Sequence, residues 1–344
     1  MVYIWLYNYQ PRVKTSIQAF TPPGEYTFRL WLKRSEVTDM SKALDIWDKP
    51  ESKELFMIAG WRQWADAGSV SSGLPEYLLQ KADARQIGTI HPGGFYLFQI
   101  PGTHNLLRPV VKFVDGYPDS LQAQRNDLYF SGNEQRGLVY FLGDEPHLDI
   151  ERYVADFLEA VETLGVKRII GLGGVYGEVP YNKERSIIST ISVPGLKEQV
   201  KALAVNFSDY HGGASIGSFI CRRAADRGIE YVSFYALAPL YDFSNLAQVI
   251  HAIRIEKDYL AWYGIMQRIN YLLKLDLDLS DLEELSRQQV ENLDKEVTEL
   301  ENSTPQLGVR EYFERLAKEF TETPFIPPDD FWDEKLSGLF KDFE

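Results

Sequence analysis

From residue 54 onward, short apolar runs alternate with longer stretches in which apolar positions recur every three or four residues. The runs "ELFMIAG" (54–60), "QIGTIHP", "VVKFVDG", "GLVYFLG", "KRIIGLGG", "RSIISTIS" (185–192) and "EYVSFYAL" (230–237) predict strands, the last ending at Pro239. Between them, "DAGSVSSGLPEYLLQKA" (66–82) predicts a helix capped by Asp66. "DIERYVADFLEAVETLG" (149–165) predicts a second, capped by Asp149 and closed by Gly165. "GGASIGSFICRRAADRG" opens a third, which Gly228 closes. Such alternation predicts an α/β domain with helices on both faces of a central mixed sheet.

The pattern turns helical from about residue 244. "SNLAQVIHAIRIEKDYLAWYGIMQRINYLLKL" reads as one long helix or two joined near Gly264. "SDLEELSRQQVENLDKEVTELENS" starts with Ser280 and Glu283 at capping-box spacing, and Leu282, Leu285, Leu293, Val297 and Leu300 mark one face. Thr304-Pro305 is expected to start the next helix, which carries Tyr312, Phe313, Leu316 and Phe320, so the two form a helical hairpin. The expected units are an N-terminal extension (1–39), an α/β core (40–275), an acidic helical hairpin (276–321), and a linker, "TPFIPP", leading to a short terminal helix (322–344). Residues 1–39 are aromatic-rich. They read either as sequence upstream of a start at Met40 or as an extra hairpin built on "EYTFRLWLK".

Charge sharpens this division. The net charge is −14. Residues 276–344 hold 20 acidic and 7 basic side chains, and the other 275 hold 30 and 29. An acidic tail without a basic stripe argues against nucleic acid and anionic membrane as partners. No stretch of about 18 apolar residues offers a membrane span. Cys221 is the only cysteine, so no intramolecular disulfide forms, and the expected setting is cytoplasmic.

Four places invite a chemical reading. "RIIGLGGVYGEVP" (168–180) resembles a dinucleotide loop, but Tyr176 stands at the third glycine position and Pro180 with a strand follows, so no helix start meets a pyrophosphate. Its glycines are read as tight backbone beside a cleft. "YHGGASIGS" (210–218) opens a helix whose N–H groups suit an anion, or which Ser215 simply caps. The same stretch holds G-x-S-x-G, and Ser215, Asp242 and His251 stand in hydrolase order, but a helix cap and a core-edge histidine are the preferred reading. "GWRQWADAG" (60–68) leaves the first core strand at its C-terminal edge, where Trp61, Trp64 and Asp66 are placed to line a pocket or pack an interface. The five histidines never pair at helical spacing. "DLDLSDLEE" fails as a calcium loop, with Asp281 where glycine is needed and Arg287 where the bidentate Glu belongs, so no metal and no cofactor is expected.

In order and spacing, "AGWRQWADAGSVSSG", "RNDLYF" (125–130), "GLVYFLGDEPHLD" (137–149), "GLGGVYGEVPYNKERS" and above all "YHGGASIGSFICRRAADRGIEYVSFYALAPLYD" (210–242) resemble the proteasome assembly chaperone family, in its bacterial and archaeal branch. The resemblance runs from about 54 to 321. It implies a three-layer α/β/α fold like that of nucleoside phosphorylases and peptidyl hydrolases. It also implies homo-oligomers, with trimers favoured, and a role in assembling protein complexes, without catalytic residues. Members that engage the proteasome end in a hydrophobic–tyrosine–any-residue tail; this chain ends Asp342-Phe343-Glu344.

Two functions follow as expectations. One is a non-enzymatic assembly chaperone or scaffold, with Trp332, Leu336, Phe340 and Phe343 as a partner-binding stripe at helical spacing. The other is an enzyme or binding protein for a small anionic or nucleoside-like ligand, with a pocket built from Trp61, Asp66, Gly173, Gly174, Tyr176, Gly212, Gly213 and Ser215.

Overall fold

Most of the apolar runs become strands of a buried sheet, with "VVKFVDG" the exposed exception, and periodic stretches become the helices that cover the sheet. The computed structural model describes residues 43–99, 108–241, 253–305 and 308–326. The expected extension 1–39, the terminal stripe Trp332, Leu336, Phe340 and Phe343, and the residues Asp242 and His251 lie outside them.

The strands are β1 (Leu44–Ile46), β2 (Glu54–Arg62), β3 (Arg85–Ile90), β4 (Val110–Val114), β5 (Tyr117–Gln122), β6 (Asn126–Gly132), β7 (Arg136–Asp144), β8 (Arg168–Gly177), β9 (Ile187–Ile191), β10 (Asn206–Phe207), β11 (Glu230–Tyr241) and β12 (Ile253–Arg254). Ten of them form one mixed sheet in the order β1-β3-β6-β7-β2-β8-β11-β9-β10, with β12 beside β11. Its centre, β7-β2-β8-β11, is parallel. The helices are α1 (Gly73–Lys81), α2 (Ile150–Leu164), α3 (Lys197–Lys201), α4 (Ile216–Arg227), α5 (Tyr259–Leu273), α6 (Ser280–Ser303) and α7 (Val309–Glu319).

Strand alternation sorts the core into two halves. Leu55, Met57, Ala59 and Trp61 of β2 pack with α2 and α4, whereas Ile58 packs with α1, α3 and α5 on the opposite face. The expected three-layer α/β/α fold is therefore present. Helices α6 and α7 form a third, smaller apolar cluster in which Val297, Val309 and Phe313 pack on Tyr181 and Tyr241. The helical hairpin is thus seated on the core rather than free. Tyr77 and Lys81 of α1 both reach the carboxylate of Asp281. That contact accounts for one of the acids in "DLDLSDLEE". "TPFIPP" is likewise partly docked: Phe325 is buried, 5.2 Å from the Arg268 guanidinium.

Several expected boundaries move. The helix expected over 66–82 begins at Gly73, behind a single turn at Ala67–Ser69. Asp149 adopts a left-handed backbone (φ 51°) and caps nothing; its carboxylate takes Arg152 Nε at 2.6 Å. Strand β11 runs past Pro239 to Tyr241. Helix α5 starts at the Asp258 cap and passes Gly264 unbroken. At α6, Asp278 rather than a Ser280–Glu283 box accepts the Ser280 N–H, at 2.9 Å. Helix α7 starts behind Gly308 rather than at Pro305.

The glycines of "GLGG" lie inside β8, not in a loop. A β-carbon on Gly171 would stand 2.0 Å from the Tyr231 hydroxyl, one on Gly173 2.2 Å from the Tyr235 ring, and one on Gly174 1.9 Å from the Ala67 carbonyl oxygen. Two of these neighbours are side chains. The third is backbone, held by the Gly174 N–H donating to Ala65 O at 2.7 Å. Gly174→Ala is therefore expected to lower stability by about 2–3 kcal/mol. Gly177→Ala in the same strand, where a β-carbon finds only 3.9 Å contacts, should stay within about 0.5 kcal/mol. Urea melts of both variants check this.

Candidate functional site

The parallel centre places the ends of β2, β7, β8 and β11 at one edge of the sheet. From β2 the chain passes outward to β3, works back through β6 to β7 beside β2, then crosses to β8 on the other side of β2. Such a reversal opens a crevice outside the strand ends, where open α/β sheets bind ligands. The loop after β2 crosses this crevice and pairs with β8 through a bridge between Asp66 and Gly174. Gln63 (φ 92°) and Ala65 (φ 52°) hold left-handed backbones there, a conformation unfavourable for side-chain-bearing residues.

A cavity of about 520 Å³ opens at this point, lined by Gln63, Trp64, Ala65, Asp66, Ala67, Gly174, Val175, Tyr176, Ile188, Thr190, Ser208, Tyr210, Gly213, Ser215, Ser218, Tyr235 and Leu237. Of the candidate ligand-binding residues, Asp66, Gly174, Tyr176, Gly213 and Ser215 meet here. Three do not. Trp61 is 2% exposed and points to the opposite side of β2, donating Nε1–H to Tyr153 OH at 2.9 Å between Phe141 and Phe157. Gly173 is covered by the Tyr235 ring, and Gly212 lies against the Tyr210 hydroxyl, 2.3 Å from where its β-carbon would be. Trp64, Thr190, Tyr210 and Tyr235 join the walls instead. Trp64 already stood in the loop singled out from sequence; Tyr210 had the adjacent glycine pair as its signal, and Thr190 and Tyr235 had none. A second crevice, about 340 Å³, lies between α5, α6 and Glu322–Phe325 and is crossed by charged side chains, among them Glu184 and Arg287.

The wall polar groups are largely spent on the protein itself. Asp66 accepts from Ser71 N, Ser72 N and Ser72 Oγ at 2.7–3.0 Å, which docks the start of α1. Burial pushes the Asp66 carboxyl up, and those bonds pull it back. Ser215 caps α4, accepting from Ser218 N at 3.2 Å, and lies 3.2 Å from Tyr235 OH. It sits at a helix cap after a loop, as a nucleophile elbow does not. Thr190 Oγ1 meets Ser233 Oγ at 2.6 Å. The anion slot at the α4 N-terminus is already taken, because Ile216 N–H donates to Glu145 Oε1 at 2.8 Å. None of the lining residues is lysine, arginine or histidine. Among the described residues no cluster of metal-ligating side chains occurs. Burial also raises the Cys221 thiol, which leaves it a poor nucleophile.

Glu145 is the group that sequence reading missed. It follows β7, and its Oε2 is buried without a hydrogen-bond partner. Burial pushes its carboxyl up to about 7, against the opposing pull of the Ile216 bond. A carboxyl raised on folding costs stability as pH climbs from its unfolded value, 4.5, toward its folded one, and the loss is complete above that. Glu145→Gln removes this slope. The stability difference between variant and wild type should shift in favour of the variant by up to about 3 kcal/mol between pH 4.5 and pH 8. Urea melts at both pH values measure it; parallel pH profiles would show that Glu145 is not the raised group.

The chain's fold is shared by solved proteins at low sequence identity. A PAC2 family protein from Streptomyces avermitilis superposes with a TM-score of 0.61 at 21% identity, covering 75% of this chain and 99% of that one. A proteasome-assembly chaperone homologue from Mycobacterium tuberculosis gives 0.59 at 21%, over 71% and 94%. PbaB of Pyrococcus furiosus, an archaeal proteasome activator, gives 0.52 at 17%, over 73% and 97%. No curated protein matches the chain in sequence. The PAC2 family model matches residues 61–297, from the end of β2 well into α6. The chain belongs to the PAC2 family.

Proposed function

We propose that this protein is a non-enzymatic assembly chaperone or scaffold that works in the cytoplasm as a homo-oligomer, with a trimer favoured, on protein partners that include proteasome-related ones. The observation that carries the reading is the hairpin β4–β5. Among the described residues it pairs only with itself, apart from the large sheet, and all its residues are exposed. Val110, Val111, Phe113, Val114, Tyr117 and Leu121 are each 48–77% exposed. A lone two-stranded ribbon is marginal in water, and a contiguous apolar surface on it marks an interaction site. Asp115 (φ 49°) and Gly116 (φ 83°) form its turn, an Asp-Gly pair that is a strong hairpin signal. Its two edges, unpaired among the described residues, add a template for pairing with another chain.

Membership of the PAC2 family supports a chaperone-like role, and the partners follow by analogy with structural neighbours that are a proteasome-assembly chaperone homologue and an archaeal proteasome activator. The alternative, an enzyme or binding protein for a small anionic or nucleoside-like ligand, draws its support from the cavity at the switch point. That none of the described lining residues is cationic weighs against its anionic form.

The double variant Phe113→Ser/Tyr117→Ser should leave the melting temperature within about 2 °C, because both side chains are exposed. It should at the same time lower the oligomer size, or the capture of proteasome subunits, read by sedimentation and by co-purification with purified subunits. Unchanged assembly and capture would contradict the reading. The terminal stripe Trp332, Leu336, Phe340 and Phe343 is tested separately by ending the chain after Ile326. An earlier cut at Glu322 would also remove Phe325 from its buried seat and confuse docking with stability. If the stripe binds partners, the shortened chain keeps its fold and loses capture.

A further inference from the structure

The cavity at the switch point is walled in a way that selects against charge. The hydroxyls of Thr190, Tyr210, Ser215 and Tyr235 are bonded to protein groups, the Asp66 carboxylate is committed to the start of α1, and among the described lining residues there is no cation. What it presents at its opening is aromatic surface. Trp64 is 62% exposed and Tyr210 75% exposed at its mouth, with Val175 44% exposed beside them. Exposed aromatics grouped around a concavity are costly unless something covers them.

The mouth is also held open by the backbone. The Tyr210 hydroxyl is fixed by a bond to Gly213 O at 3.3 Å, and Trp64 sits between two left-handed residues in a loop tied to Gly174. A volume of about 520 Å³ lies in the range of small-molecule sites, roughly 300–1,000 Å³.

We propose that this cavity binds an uncharged aromatic small molecule, gripped between Trp64 and Tyr210 above the Tyr235 floor. The inference rests on the ligand-binding alternative above and replaces its anion by a neutral ring. It stands independently of the hairpin's role in assembly.

The test titrates the full chain with 2-naphthol, 2-naphthoate and inorganic phosphate by calorimetry and ligand-observed NMR. Saturable single-site binding of 2-naphthol is expected, with 2-naphthoate at least about tenfold weaker and phosphate inert. Trp64→Ala and Tyr210→Ala, both on exposed side chains, should each weaken 2-naphthol about tenfold, and Phe113→Ser on the hairpin should leave it unchanged. Absence of saturable 2-naphthol binding overturns the proposal. So does equal or tighter binding of 2-naphthoate or phosphate, which would restore the anion reading. An effect confined to the hairpin variant would place the probe elsewhere. Binding that weakens as protein concentration rises would show that a second copy of the chain occupies the cavity instead.

Discussion

The carbonyl of Ala67 lies 1.9 Å from where a β-carbon on Gly174 would stand, and much of the site depends on that gap. Only a residue without a side chain lets the loop after β2 cross onto β8 and exchange a backbone hydrogen bond with it. The crossing fixes Trp64, positions Asp66 to dock α1, and closes one side of the crevice that the reversal of strand order creates. Gly171 and Gly173 do the same for side chains, letting Tyr231 and Tyr235 lie across the strand under α4. A glycine-rich segment that looks like a nucleotide loop is in fact a strand stripped of side chains on both faces.

A second constraint ties the far side of the crevice to the helical part. Arg185 and Asp258 form an ion pair with 1% and 0% of their side chains exposed. Arg185 donates further to the carbonyls of Pro180, Tyr181 and Lys183, and Asp258 caps α5 through Ala261 N at 3.0 Å. With every donor occupied, the pair is tolerated; losing one partner would strand a buried charge. The Gly68 carbonyl accepts from both Asp258 N and Trp262 Nε1. The loop over β8, the loop before β9 and the start of α5 are therefore one hydrogen-bonded unit.

The layered fold was legible because both of its signals are strong: unbroken apolar runs for strands buried on both faces, and helical periodicity between them. Helix α4 was legible down to its Ser215 and Gly228 caps, since those residue types do one job each. What could not be read is what depends on contacts distant in sequence. Trp61 was assigned to the pocket because its loop points there, but strand parity sends its ring into the core beneath α2. Glu145 carries no motif; only the folded chain brings it to the α4 N-terminus, where it fills the place reserved for an anion. The hairpin was half legible: "VVKFVDG" reads as a strand, and Asp115-Gly116 announces its turn, but "YPDSLQ" with its proline hides the returning strand. Family resemblance pointed to assembly work, and the chemistry of the cavity could not be inferred from it.

The direct measurement of this account is amide hydrogen exchange across the crossing. If the loop is pinned to β8, the Gly174 amide, bonded to Ala65 O, should be protected to the level of the central strand amides. The neighbouring Gly213, which has open space around it, should exchange rapidly. Exchange of Gly174 at the rate of an open loop would mean that no preformed wall exists at the switch point, and the cavity with its aromatic mouth would go with it.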